Sequence, residues 1–435
     1  MAADSKPLSC VDVTAFGAKG DGQTDDAAAI QQAIDASRGL VFLPQGDYRL
    51  GSGLRIDLSA RGRTRLWSAG ARLINACSDA AITILGSHEG TASPESVNEH
   101  TYSRELMPVI SDLEISGEGE CGDGIVLQRT FMAVVSRVTV RGCRHGIRLA
   151  ERNRNVIISD SHIYHNRDIG ILYDQVSLHQ SNIIGCHISY NGHAGIKVDR
   201  GDIRNIQITG NDIEYNNRAE DGEPCADVWL VAGPPPGSGV REGAICSNTI
   251  QATRSEGGAN VRLQGLEDTQ SQKVGLLSIS GNLISSQDYN ILAENARAVA
   301  VTGNTFVSGY TRNIRLSRCR NFALSGNVID AIPDYGVQTC GGVELVECTS
   351  CSANSLILDG ATPPGAEAAL ALTSCTACSL CSCQVISPAA EAISLKDCHN
   401  CWVAHCILQV DPDADEAIAM HGGGRNQITG NMVLE

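Results

Sequence analysis

The sequence predicts an all-β fold: a right-handed parallel β-helix of about a dozen turns, closed at its N-terminal end by a capping helix. Three observations carry this. The segments "ISDSHIYHN", "IIGCHISYN" and "ITGNDIEYN" align so that Ser161, Cys186 and Asn211 fall 25 residues apart, as do Ile163, Ile188 and Ile213, and Asn166, Asn191 and Asn216. The frame runs back through Ser136 and Ser111 and forward through Asn248, Asn282, Asn304 and Asn327, then Cys383, Cys406 and Asn431. A second short strand recurs in each turn, as "GIVL", "GIRL", "GILY", "GIKV", "DVWL", "NVRL", "NIRL", "GVEL" and "AISL". Strands this short cannot bury a face alone and do so by stacking. The right hand follows from the crossover rule for parallel strands. No leucine-rich repeat with its helix is present.

Two segments follow from this reading: residues 1–50 as cap and first strands, and residues 51–435 as one continuous β-helix. The opening "FGAKGDGQTDDAAAIQQAID" could be mistaken for a phosphate loop, but no βαβ unit surrounds it. Instead Thr24 or Asp25 is expected to cap a helix whose Ala28, Ile30, Ala33 and Ile34 cover the first turn. At each bend the stacked Ser/Cys/Asn position is expected to take a left-handed backbone and to ladder its amides.

Composition narrows the function classes. The 435 residues are 42 % hydrophobic with a net charge of −16, which supports a folded core and argues against nucleic-acid partners. No apolar run approaches the roughly 18–20 residues of a membrane span, and "MAADSKPLSC" lacks the pattern of a secretory signal. The 18 cysteines crowd the C-terminal third, where Cys319, Cys348, Cys375 and Cys398 are followed three residues later by Cys351, Cys378 and Cys401. Zinc sites are one reading; the repeat register favours a stack of core cysteines, with disulfides and thiols both open.

The "FGAxGDGxTDD" block, the "AIQxAID" helix and the later "LPQGDY" resemble the N-terminal segment of the pectate-lyase superfamily, in the group of glycoside hydrolase family 28-related proteins and phage tailspikes. The resemblance supports the right-handed β-helix and implies a carbohydrate-directed protein found outside the cytoplasm or in the periplasm. Its members include hydrolases, lyases, epimerases and transferases. The NTD, DD and RIK signatures of the polygalacturonase branch are missing, which argues against a pectin substrate. The resemblance leaves a homotrimer open, although no heptad repeat argues for one.

On a β-helix the chemistry must sit on outward positions and loops. Insertions at 217–226 and 231–242 flank "DVWL", and others follow at 252–259 and 264–273, so a groove is expected there. Ile171, Tyr173, Ile196, Val198, Val228, Leu230, Val261 and Leu263 are assigned inward. The outward set is then Arg148, Leu172, Asp174, Lys197, Asp199, Asp227, Trp229, Asn260, Arg262, Gln264, Arg315 and Glu344. Asp174 and Asp199 fall opposite each other on neighbouring turns, with Lys197 beside them. Two unpaired carboxylates so placed would titrate as a coupled pair, one raised, as glycosidic cleavage requires. Trp229 offers a platform for a sugar ring. Asp227, Asn260, Gln264, Arg148 and Arg262 complete the expected substrate contacts, the arginines suiting a uronic or sulfated sugar.

Should the pair prove to be only surface, Glu220, Asp221, Glu223 and Glu242 are the next acids. His145 and His193 stand just before the groove strand and are the histidines nearest a substrate. A second column, His162, Tyr164, His187, Ser189, Asp212 and Glu214, reads as surface decoration or an oligomer contact. The leading expectation is a glycoside hydrolase or transglycosylase acting on a polysaccharide or oligosaccharide through Asp174 and Asp199. A lyase or epimerase of uronic acids, using Lys197, Arg148 or Arg262, is the runner-up, and a non-catalytic binding protein or tailspike-like adhesin is the third reading. No cofactor is called for by the motifs, and a calcium ion is left open.

Overall fold

The computed structural model describes residues 8–90, 93–219, 221–234, 238–267, 270–332, 334, 341–361, 368–388, 391–409 and 416–434. Glu220, among the reserve acids, lies outside them. The chain forms a parallel β-solenoid of about 15 turns, a few more than the repeat count suggests. It divides into two compact units, residues 1–212 and 213–435. Among the described residues no helix is long and apolar enough to cross a membrane.

The opening segment is a cap built on aspartates. The Asp21 carboxylate accepts from the backbone of Gln23 (2.9 Å) and Thr24 (2.8 Å). Asp26, buried, accepts from Lys19 N (2.7 Å) and Gly20 N (2.9 Å). Asp25 Oδ1 takes Ala27 N (3.1 Å) and Gly51 N (2.9 Å), so it holds the helix start and ties it to the next strand. The helix Ala27–Ala36 begins after Asp26 and buries Ala27, Ile30, Ala33 and Ile34. Thr24 does not cap it: its hydroxyl donates to Asp21 (2.8 Å). Gly20 has φ +63°, and a Cβ there would come within 3.0 Å of the Tyr48 ring, so a side chain would meet both strain and a clash. The glycines shape the turn: Gly20 N serves Asp26 of the chain itself, and Gly17 N closes onto Thr14 O (3.0 Å).

In the first unit one strand column runs in strict register. Arg55 pairs with Thr83, Thr83 with Val126, Val126 with Arg148, Arg148 with Leu172 and Leu172 with Lys197. The residues alternating with them, Ile125 and Leu127, Ile147 and Leu149, Ile171 and Tyr173, Ile196 and Val198, are fully enclosed. Each such aliphatic side chain contributes about 1.5–3 kcal/mol of burial, which is what fixes the in/out phase. In the second unit Val228, Leu230, Val261 and Leu263 are likewise enclosed.

The bends carry the expected ladders. Asn166 Nδ2 donates to Asn191 Oδ1 (2.9 Å), and Asn248, Asn282, Asn304 and Asn327 repeat the contact at 2.9, 2.9 and 3.0 Å. The left-handed residue is the one before the ladder position, at Asp160, Gly185, Gly210, Ser247, Gly281, Gly303 and Gly326. This separates two tasks: one residue turns the chain, and the next points its amide into the stack. The described cysteines are free thiols. In the C-terminal stack they act as ladder donors. Cys398 Sγ, for example, reaches the carbonyls of Lys396 and Leu372, both at 3.4 Å.

Candidate functional site

The first unit carries a cleft of about 630 Å³ over the registered column, with Arg55, Thr83, Val126, Gln128 and Arg148 on its floor. Its walls are residues 78–80 and 120–123, with Arg144 and Arg167 reaching in from the next turns. Four arginines therefore meet the acids Asp79, Glu120 and Asp123 in this space. Arg148 is the pivot. Its Nε donates to Asp123 Oδ2 (2.7 Å) and its Nη1 to Asp174 Oδ2 (3.2 Å). Arg144 makes a second ion pair with Asp123 at 3.0 Å. Burial alone would raise Asp123, but the charges of His145, Arg144 and Arg148 hold it below the usual carboxylate range.

Just before the strands of this column, both under the cleft and on the turns beyond it, acids and histidines alternate along successive turns as Asp123, His145, Asp168 and His193. His193 Nδ1 lies 2.8 Å from Asp168 Oδ1, and His145 Nδ1 lies 3.6 Å from Asp168 Oδ2. His145 is enclosed, and burial pushes it down toward the neutral imidazole against the pull of Asp123 and Asp168. Asp168 thus orients His193. The two histidines singled out in the sequence share one carboxylate, which was not anticipated.

The register of Asp174 opposite Asp199 is as expected, with Leu172 opposite Lys197. The carboxylates are not a bare pair, however. Asp174 is held by Arg148, and Asp199 by a bidentate contact from Arg200 at 3.0 and 2.9 Å. Each acid is thus paired with an arginine, and the two are not the unpaired carboxylates of the expectation.

The expected groove residues of the second unit divide. Asp227 and Asn260 are buried, contrary to the outward assignment. They occupy the second position of the strands Ala226–Val231 and Ala259–Gln264, where the counterpart in Ala194–Asp199 is Gly195 and, close to the bend, two successive residues are buried before alternation sets in. Asn216 Nδ2 donates to Asp227 Oδ1 (2.9 Å) and Asn260 Nδ2 to Asp227 Oδ2 (3.0 Å), which makes Asp227 a rung in an amide ladder. Arg262 is also buried; its guanidinium stacks 5.1 Å from the Trp229 ring and donates to the Gly257 carbonyl. Trp229 is half-buried, with its indole N–H on Gln264 Oε1 at 2.6 Å. One face of the supposed sugar platform is therefore occupied by Arg262.

The second column stands on the surface: the His162 and His187 rings stack at 5.1 Å, and His187 meets Asp212 at 3.2 Å. Among the described residues no three His, Cys, Asp or Glu side chains are gathered as a metal site. The sequence reading also missed the insertion at 86–108. Gly86 N and His88 N donate to Gln128 O (2.8 Å) and Arg129 O (2.9 Å), carrying the strand Ile82–Leu85 past the cleft floor. Arg152 pins it at Gly90 O (2.6 Å), Arg154 at Ser93 O (3.0 Å), and buried Glu105 accepts from Ser87 N (2.7 Å). The signal was available as the long gap between "ITIL" and "VISDLEIS".

Residues 10–61 match the family described as "Rhamnogalacturonase A/epimerase, pectate lyase-like", and residues 74–233 match "Right handed beta helix region". Alginate lyase 7 of Azotobacter vinelandii is 32 % identical over 187 residues, covering 37 % of this chain and 20 % of that protein, a fifth of the relative's length. Among solved structures, the A-module of A. vinelandii mannuronan C-5 epimerase AlgE6 superposes with a TM-score of 0.51 at 15 % identity, over 98 % of this chain and 99 % of that one. Tailspike protein 3 of bacteriophage CBA120 gives 0.56 at 12 % identity, over 97 % and 61 %. At such identities the structures speak for the fold alone. The N-terminal segment is pectate lyase-like, and the repeats that follow it are a right-handed β-helix.

Proposed function

We propose that the first unit binds an acidic polysaccharide along its cleft and acts on a uronate residue by moving the proton on the carbon that bears the carboxylate, as a lyase or an epimerase. The observation that carries this is the gathering of Arg55, Arg144, Arg148 and Arg167 in one cleft of a chain whose net charge is −16. Guanidinium groups match carboxylates bidentately, and neutralising a sugar carboxylate stabilises the enediolate left when its α-proton departs. The Asp168–His193 pair supplies the base: the imidazole takes the proton and Asp168 stabilises the resulting cation. Expulsion of the oxygen at the neighbouring carbon then gives an unsaturated uronate; return of a proton to the opposite face gives the epimer. The relative named as an alginate lyase supports the same choice.

Hydrolysis is the second reading, favoured by the register of Asp174 opposite Asp199. Neighbouring turns lie about 5 Å apart, near the carboxyl spacing of retaining glycosidases. Incubation with mannuronan, alginate and neutral glucans distinguishes the readings. Unsaturated-uronate absorbance, or an altered ratio of uronate epimers by proton NMR, is expected on the acidic polymers alone. New reducing ends without absorbance would make the chain a hydrolase, and binding without any product would make it an adhesin.

A further inference from the structure

Three cysteines lie on successive turns at the wall of the cleft: Cys77, Cys121 and Cys143. The backbone places them side by side, since Gly122 N donates to Cys77 O (2.9 Å) and Arg144 N to Gly122 O (2.9 Å). Cys121 lines the cleft, whereas Cys143 is enclosed beneath it. Arg167 brackets Cys121. Its Nη1 is 3.7 Å from the sulfur and 3.0 Å from Gly119 O, and its Nη2 donates to the Cys121 carbonyl.

We propose that Cys121 and Cys143 form a peroxide-responsive thiol pair at the cleft wall, Cys121 as the nucleophile and Cys143 as the resolving thiol. The Cys121 thiolate attacks a hydroperoxide oxygen, giving a sulfenic acid and releasing hydroxide, or an alcohol from an organic peroxide. The Cys143 thiol then displaces water from that sulfur and closes a disulfide between the two turns. The Arg144 N–Gly122 O bond sets Cys143 opposite Gly122, one residue along from Cys121. A step of about 4.8 Å across and about 3.3 Å along leaves the Cα atoms about 6 Å apart, within the roughly 4.4–6.8 Å a disulfide spans. The hydrogen bond from Cys143 and the Arg167 charge hold Cys121 down to about 6 against burial, so much of it is thiolate at neutral pH.

The C-terminal cysteines are the internal contrast. Cys348, Cys375 and Cys398 stack in the same turn-to-turn manner, and like Cys121, whose Sγ lies 3.6 Å from Gly142 O, each is enclosed with its sulfur directed at backbone carbonyls. None of these three borders this cleft, whereas Cys121 does. Stacking alone therefore does not single out Cys121; its place at the cleft and beside Arg167 does.

The test treats the reduced, full-length protein with a small excess of hydrogen peroxide, then denatures, alkylates and digests it for mass spectrometry. The expected result is a cross-linked peptide pair, two hydrogens lighter, joining Cys121 to Cys143 while Cys348, Cys375 and Cys398 carry the alkyl label. In native protein at pH 6, iodoacetamide should label Cys121 at least about ten-fold faster than those three. Cys143→Ser should halt the reaction at a dimedone-trapped sulfenic acid on Cys121. Cys143→Ala, checked for native circular dichroism, serves if the serine disturbs the core. A Cys121 that stays fully alkylatable after peroxide overturns the proposal. So does a bridge from Cys77 to Cys121, or prior oxidation of the C-terminal stack. The wild-type result decides without either variant.

Discussion

Replacing Asp227 by Asn should stabilise the protein, and by an amount that depends on pH in a defined direction. The Asp227 carboxyl is enclosed, and burial pushes it up to about 7 from an ordinary value of 3.8, despite hydrogen bonds from Asn216 and Asn260. Between about pH 4 and pH 7 the unfolded chain has released this proton while the folded chain keeps it. The unfolded state thus binds fewer protons, and stability falls as pH rises through that window. At 1.36 kcal/mol per pH unit the loss reaches about 4 kcal/mol by neutral pH. Asparagine carries no such penalty, and its Nδ2 can donate to Asn260 Oδ1, which now lacks a hydrogen-bond partner. Urea unfolding of both proteins at pH 4, 5.5, 7 and 8 is the assay. The variant should match wild type at pH 4 and exceed it by about 2–4 kcal/mol at pH 8. A constant difference across the series, or a destabilised variant at pH 8, would refute the buried-rung assignment of Asp227.

His88 makes the opposite case. It is buried within the 86–108 insertion and held down to about 4 by burial and by Arg154 and Arg152. Below the ordinary value of 6.5 the unfolded segment binds a proton that the folded one refuses, so the insertion should loosen as pH falls from about 6.5 to 4. Hydrogen exchange of residues 86–108 should show this, and His88→Gln should flatten the pH dependence; protection that stays constant in wild type would remove it. Asp26→Ala strands two backbone amides of the cap, at about 1–3 kcal/mol each. Its melting point should drop and exchange should quicken first across residues 17–36, whereas an unchanged profile would mean the aspartate does not hold the cap.

Much of the fold was legible because a solenoid repeats its evidence. The spacing of Asn166, Asn191 and Asn216 and the alternation of Ile171 with Tyr173 are each seen again on the next turn, and the residues assigned inward are enclosed, although Leu172, assigned outward, is buried too, packed with Ile169 and Ala194. The same rule failed at Asp227 and Asn260, which stand where a strand leaves its bend and a side chain can still turn inward. Arg262 was lost for another reason. Its outward position was right in register, but stacking under Trp229 buries it, and no strand pattern reports which neighbour a long side chain folds onto. The cleft was sought beside the insertions around "DVWL" because these interrupt the clearest repeats. The longer interruption at 86–108 falls where the repeat is weakest, so it did not register as an insertion. Stepping the register by one turn sets Arg148 opposite Leu172, two residues short of Asp174; its contact with Asp174, like the sharing of Asp168 by His145 and His193, depends on side-chain reach.

The central claim is that the arginine-lined cleft of the first unit holds an acidic glycan. Titrating mannuronan oligosaccharides into wild type, Arg55→Gln, Arg148→Gln and Trp229→Ala by calorimetry, at low and high salt, tests it most directly. Each arginine variant should bind about ten-fold more weakly, about 1.4 kcal/mol, with a flatter salt dependence, while Trp229→Ala keeps wild-type affinity. Undiminished binding in both arginine variants, together with its loss in Trp229→Ala, would contradict the account.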